Sequence, residues 1–182
     1  MYAAAITILL SCPMRMKNLA SLDIDKHLTS HGHGAGLRYS IRVDANEVKN
    51  HSHVEVQLNA KNSRLLDKYI MQWRHHISPI ASTALFPNRG NGTARPSSNF
   101  GQTLTAEIYR QTGIGMNPHL FRHFAAYLYL QERPGDFETV RRFLGHKKLE
   151  TTMTFYAELS NKWAHEHYDD VVLKKWGGSD GK

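Results

Sequence analysis

Met116-Asn-Pro-His-Leu-Phe-Arg-His-Phe-Ala-Ala-Tyr-Leu128 marks the beginning of a helix twice over. Asn117 is a residue type whose side-chain oxygen caps helix N-termini, and Pro118 stands at the first helical position, where its missing N–H costs nothing. At 100° per residue, Phe121, Phe124, Ala125 and Leu128 fall on one side and His119, Arg122 and His123 on the other. The periodicity predicts an apolar inner face and a basic outer one. Basic and hydrogen-bonding side chains at a helix N-terminus suit an anion, because the free N–H groups and the helix dipole add to them. For this segment alone, a helix whose outer face is simply basic is the plainer reading.

Working outward, Phe143-Leu-Gly-His146 ends 24 residues after Arg122, and ten residues further on Tyr156 closes Thr151-Thr-Met-Thr-Phe-Tyr156. Val140, Phe143 and Leu144 make an apolar stripe, and Gly145 supplies a left-handed cap that turns His146 out of the helix end. Upstream, the opening helix shows a stripe of Ala5, Ile6, Leu9 and Leu10, and Pro13 ends it. Arg15 follows directly, and Met14, Leu19, Leu22 and Ile24 continue the apolar pattern to residue 24. His31 to Gly36 reads as a flexible turn. Tyr39–Val43 and Val54–Leu58 alternate over β-branched residues, which predicts a small antiparallel sheet with Lys49 between its strands. A helix is expected from about Ser63 to Ser78, with Leu65, Leu66, Tyr69, Ile70 and Trp73 on one face. Residues 80–99 read as loop, and 98–112, 118–132, 137–144, 151–157 and 158–169 as helices. The fold class is α+β, mainly α-helical, with a sheet of two or three strands near residues 37–60 at one edge.

The chain has 182 residues and a formal charge of +7. That length suits one domain with a sizeable core, and the composition excludes an acidic disordered tail and a multi-span membrane protein. Between Asn59 and Thr103 six Lys or Arg residues face one acid, Asp67, an excess that suits a polyanion or else an ordinary solvated surface. One cysteine, Cys12, has no partner for an internal disulfide, so a reducing intracellular setting is expected. The apolar opening that ends Leu-Leu-Ser-Cys12 lacks the basic region of an export signal and is read as a helix.

Taken in order, Arg15, His119 with Arg122, Leu-Gly-His146 and Tyr156 resemble the signature of the tyrosine recombinase (phage integrase) family. The likeness spans nearly the whole chain as a catalytic domain. It implies that residues 1–182 form that single domain, truncated at its N-terminus and without the family's separate core-binding domain. Lys49 matches the family's β-hairpin lysine, with Lys61 the other candidate downstream. Two departures stand out. Asn18 replaces the acidic residue that usually lies three positions after the first arginine, and only 14 residues precede Arg15.

The resemblance implies cleavage and rejoining of double-stranded DNA through a 3′-phosphotyrosyl intermediate, on a tetramer of the protein, with no membrane. A tyrosine of pKa near 10 is ionised about once in a thousand at pH 7, a deficit of roughly 4 kcal/mol that the site must offset. Tyr156 would attack the phosphodiester, with Arg15 and Arg122 forking onto its non-bridging oxygens. His119 would accept or share the phenolic proton, Lys49 would protonate the departing 5′-oxygen, and His146 would hydrogen-bond the phosphate. The bond energy stays in the covalent intermediate, so neither a cofactor nor a metal is implied. The histidine pairs 31/33, 51/53, 75/76 and 165/167 match no zinc pattern. A relaxing type IB topoisomerase and a non-catalytic DNA-binding remnant are the rival functions. In the tail, Val172 and Trp176 are expected to pack against protein.

Overall fold

The computed structural model describes residues 1–49, 53–78, 80–146, 148–150, 152, 153 and 156. Helix α1 (Tyr2–Ser11) stops short of Pro13, as expected, but buries Ala4, Ala5, Ile8 and Leu9 and leaves Leu10 exposed. The expected stripe was one residue out of phase. Nearly every residue of α1 is apolar, so its neighbours set its rotation more than its own pattern does. Two short helices follow, α2 (Met16–Ala20) and α3 (Ile24–His27), the second capped by the Asp23 side chain.

Three antiparallel strands come next, β1 (Leu28–His31), β2 (Arg38–Val43) and β3 (Val54–Gln57), in the order β1-β2-β3. Ile41 pairs with Leu28 on one side and with Val56 on the other. Alternate residues Tyr39, Ile41 and Val43 of β2 enter the core. The two expected strands are present. The third, β1, overlaps the expected turn at His31; Thr29, Ser30 and His31 are all exposed and leave no alternation in the sequence. At its base the buried His27 accepts a hydrogen bond from the Asp23 N–H at 2.8 Å, and its Nε2 lies 3.3 Å from both Glu47 oxygens. Lys26 closes the same carboxylate at 2.6 Å. Glu47 is thereby tied down two residues before Lys49.

Helix α4 (Ala60–Lys68), capped by Asn59, does not run on unchanged to Ser78. It passes into a π-helical turn, Tyr69–Trp73, and a 3₁₀ turn, Arg74–His76. A π turn aligns residues five apart. Tyr69 and Arg74 have that spacing, and both serve one loop: the phenol donates to Leu85 O at 2.9 Å, and the guanidinium donates to the Ala84 and Ser82 carbonyls. Arg95 donates to Pro87 O and lies over the Phe100 ring. Two of the six cations of the basic middle segment therefore brace the fold.

Helices α5 (Ser97–Thr112), α6 (Pro118–Glu132) and α7 (Phe137–Leu144) agree with the expected spans to within a residue. Leu149, Glu150, Thr152, Met153 and Tyr156 are helical as well. The expected helix over 158–169 and the burial of Val172 and Trp176 lie outside the described residues.

The chain divides into two compact units, Met1–Ala125 and Ala126–Lys182. The first has a large core in which Leu19, Ile41, Leu66, Phe86 and Phe100 are fully enclosed. In the second, Ala126, Leu130, Val140, Leu144 and Tyr156 form a smaller core.

Candidate active site

Arg15, Lys49, His119 and Arg122 belong to the first unit, and His146 and Tyr156 to the second. The N-terminus of α6 forms as expected: Asn117 Oδ1 accepts from the His119 and Leu120 N–H groups, each at 3.0 Å. The face it buries does not. Phe121 is inside as expected, but Phe124 and Leu128 are 40% and 45% exposed, and Arg122, expected outside, is buried. Arg122, only 7% exposed, donates through Nη1 to the carbonyl of Pro13. A guanidinium can be buried when its donors meet fixed acceptors, so a charged residue need not mark the outer face of a helix.

That tie also gathers the two arginines. Arg15 lies two residues beyond Pro13, a separation of at most about 7 Å along the chain. Gly101 of α5 brings the adjoining helix ends together, since a Cβ there would meet Met16 Cγ at 3.5 Å and Pro118 Cγ at 3.8 Å. The starts of α2 and α6, and with them Arg15 and His119, thus converge on one side of α5. A cleft of about 730 Å³ opens beside them, lined by Met16, Gly101, Tyr109, Asn117, Pro118 and His119 among others. Asn18, where the family's acid was missed, is buried within α2 and places no charge beside the arginines.

His119 has a partner that was not assigned a role from sequence. The Nε2 atoms of His119 and His123 are 3.0 Å apart, with the rings nearly perpendicular. Burial first, then the positive charges of His119 and Arg122, hold the His123 imidazolium below its ordinary range. The i, i+4 spacing was the available signal. Burial pushes the Cys12 thiol up to about 11, with Arg122 acting in the opposite direction, so the thiol stays neutral. Lys49 is exposed, just after the 3₁₀ turn Ala45–Glu47 in the β2–β3 connection.

In the second unit, Gly145 adopts φ 61° and ψ 43°, the left-handed cap expected of it. Its N–H donates to Arg142 O and the His146 N–H to Arg141 O, the paired bonds of a Schellman turn. Arg141 returns a bond from Nη1 to the His146 carbonyl at 3.0 Å and is itself gripped by Glu138 through two bonds of 2.7 Å. The imidazole turns to the following helix, where its Nδ1 is 2.9 Å from Thr152 Oγ1. Tyr156, one helical turn on, is 5% exposed and packs with Leu130, Val140 and Leu144. Thr152 was not singled out from sequence, although its place four residues before Tyr156 put the two on one helix face. Among the described residues, no group of three or more His, Cys, Asp or Glu side chains is disposed to hold a metal ion.

A helical body with a three-stranded antiparallel sheet in this order is the fold of the tyrosine recombinase catalytic domains. The chain belongs to the phage integrase family, whose model matches residues 1–162. Similar solved structures include the XerH site-specific recombinase bound to difH substrate in a pre-cleavage complex, with 23% identity and a TM-score of 0.63 over 85% of this chain and 42% of that one. XerA recombinase gives 20% identity and 0.62 over 93% and 56%. The Tn1549 transposon integrase in complex with transposon right end DNA gives 17% and 0.58 over 92% and 58%. The chain spans about half the length of these proteins, and at such identities the likeness is one of fold. No curated protein sequence matches it. Among the described residues no helix is long and apolar enough to cross a membrane.

Proposed function

We propose that residues 1–182 act as one catalytic domain of a site-specific DNA recombinase, which cleaves and rejoins strands of double-stranded DNA through a 3′-phosphotyrosyl link. The observation that carries this reading is the buried Arg122, fastened to Pro13 two residues before Arg15. Arg122 so fixed, with the Arg15 backbone beside it, would let two guanidinium forks meet the non-bridging oxygens of a phosphate, whose charge grows in the transition state. In this reading Tyr156 attacks phosphorus and its bond to the 5′-oxygen breaks. His119, backed by His123, takes or shares the phenolic proton. Lys49 returns a proton to the leaving oxygen, and His146 donates to the phosphate. Attack by a 5′-hydroxyl reverses the sequence, so no cofactor is consumed. Exchange between two sites calls for a tetramer on DNA, and the working place is the cytoplasm of a bacterium or phage host, on the nucleoid when DNA is bound.

A suicide substrate, nicked so that the 5′-hydroxyl diffuses away, tests the assignment. Wild-type protein should yield a protein–DNA band that resists denaturant and forms equally in excess chelator. Tyr156→Phe should bind the DNA and yield none. Lys49→Ala should regain cleavage on a substrate with sulfur at the 5′-leaving position, which needs no protonation. An adduct with Tyr156→Phe moves the nucleophile elsewhere, Tyr168 being the next tyrosine. No adduct with wild type favours a DNA-binding protein without catalysis, and relaxation of supercoiled plasmid without joining of sites favours a topoisomerase.

A further inference from the structure

The bond between His146 and Thr152 has a direction, and the direction matters for catalysis. Thr152 is fully buried, and among the described residues the His146 Nδ1 is the one hydrogen-bond partner of its hydroxyl. A threonine in a helix often returns its proton to the carbonyl four residues back; no such bond to Lys148 forms here among the described residues. A buried O–H without an acceptor is costly, so the proton points at Nδ1. Nδ1 then accepts, and the neutral ring carries its hydrogen on Nε2.

We infer that Thr152 is a positioning residue that fixes the protonation pattern and orientation of His146, presenting Nε2–H as a donor to the scissile phosphate. The ring is held from two sides: the Schellman turn and Arg141 fix its backbone, and Thr152 fixes its Nδ1. Thr152 also lies one turn before Tyr156 on the same helix face, so the residue that aims the phosphate's donor travels with the nucleophile. An Nε2–H donor suits a phosphate oxygen, whereas a ring flipped to carry its hydrogen on Nδ1 would meet that oxygen with a lone pair. The inference rests on the reading of His146 as a phosphate ligand.

The test uses the full chain labelled with ¹⁵N at histidine, His146→Gln identifying the His146 signals. At neutral pH wild type should show Nδ1 unprotonated and Nε2 protonated, and Thr152→Ser, which keeps the hydroxyl, should show the same pattern. Thr152→Val keeps the volume and loses the hydroxyl. It should lose the single pattern and form adduct about tenfold more slowly, while Thr152→Ser stays within about twofold of wild type. A wild-type ring protonated on Nδ1 overturns the inference, as does a valine variant with unchanged pattern and rate. If Thr152→Val does not fold, the wild-type and serine spectra still decide. If wild type forms no adduct, the recombinase reading fails separately, because the nitrogen signals are read without DNA.

Discussion

Arg122 and Tyr156 are both buried, yet the two units hold them in opposite ways. In the first unit a charged side chain lies inside and donates a hydrogen bond to a backbone carbonyl from a distant part of the chain, with a large apolar core in the same unit. In the second, an aromatic ring is wedged among Leu130, Val140 and Leu144 in a core of few residues, and the neighbouring histidine is aimed by a glycine turn and a threonine. The contrast fits the chemistry proposed for each side chain. Stabilising charge on a phosphate requires donors that do not move when the charge appears, and a polar tie inside a thick core supplies that rigidity. For Tyr156, the proposed nucleophile, the packing of Leu130, Val140 and Leu144 locates the ring.

The sharpest way to break the comparison is at Arg122. Arg122→Ala should cut adduct formation by about 10² to 10³, the scale of losing one fixed donor to transition-state charge. It should also destabilise the first unit, since the Pro13 carbonyl is left buried without its donor. Arg122→Lys keeps the charge and loses the fork, and should remain strongly impaired. Adduct formation by Arg122→Ala within threefold of wild type would make the residue a brace and nothing more.

Next in size is the difference between the cores. Phe100→Ala in the first unit should cost about 3–5 kcal/mol and Leu130→Ala in the second about 2–5 kcal/mol, both being fully enclosed. Hydrogen exchange sharpens the point. Leu130→Ala should raise exchange after residue 126 and leave the amides around Ile41 and Phe86 protected. Uniform loss of protection along the chain would mean that the two units melt as one.

How much of this was legible beforehand depended on whether a residue's role was local. The start of α6 and the end of α7 were readable because Asn117, Pro118 and Gly145 act within one turn. The strands β2 and β3 showed as alternation since one side of each meets apolar neighbours. What failed was set at long range. The rotation of α1 is decided by its neighbours, β1 exists by pairing with β2, and the inner face of α6 depends on a carbonyl 109 positions away. The proposed catalytic set was legible as residue types in order; its partner Pro13 was not, because it carries no charge or spacing that marks it, whereas His123 and Thr152 offered only an i, i+4 spacing that many helix neighbours share.

A smaller effect tests the glycine turn. Gly145 has φ 61°, where a side chain costs about 1–2 kcal/mol. Gly145→Ala should lower the melting temperature by that amount of stability and slow adduct formation as well, because the His146 backbone is set by the bonds from this turn to Arg141 and Arg142. A variant as stable as wild type would show that the turn relaxes at no cost and that packing alone holds His146.

The smallest expected effect is on pH dependence, and it separates the two units by where protons matter. His123 lies in the first unit with its imidazolium held below the ordinary 6.5 by burial, then by His119 and Arg122. Between the unfolded value and the lower native one, the unfolded chain binds a proton that the native chain does not. Stability therefore falls as pH drops from about 6.5 through the native value, and above 6.5 the residue adds no slope. His123→Gln keeps a polar side chain and removes the titration. Melting temperatures of the two proteins at about pH 7.5 and about pH 5.5 give the check: wild type should lose more on acidification than His123→Gln, the histidines away from His123 cancelling in the difference. Parallel losses would mean that His123 titrates as it does in water, and that the 3.0 Å contact with His119 leaves the proton balance of the site unchanged.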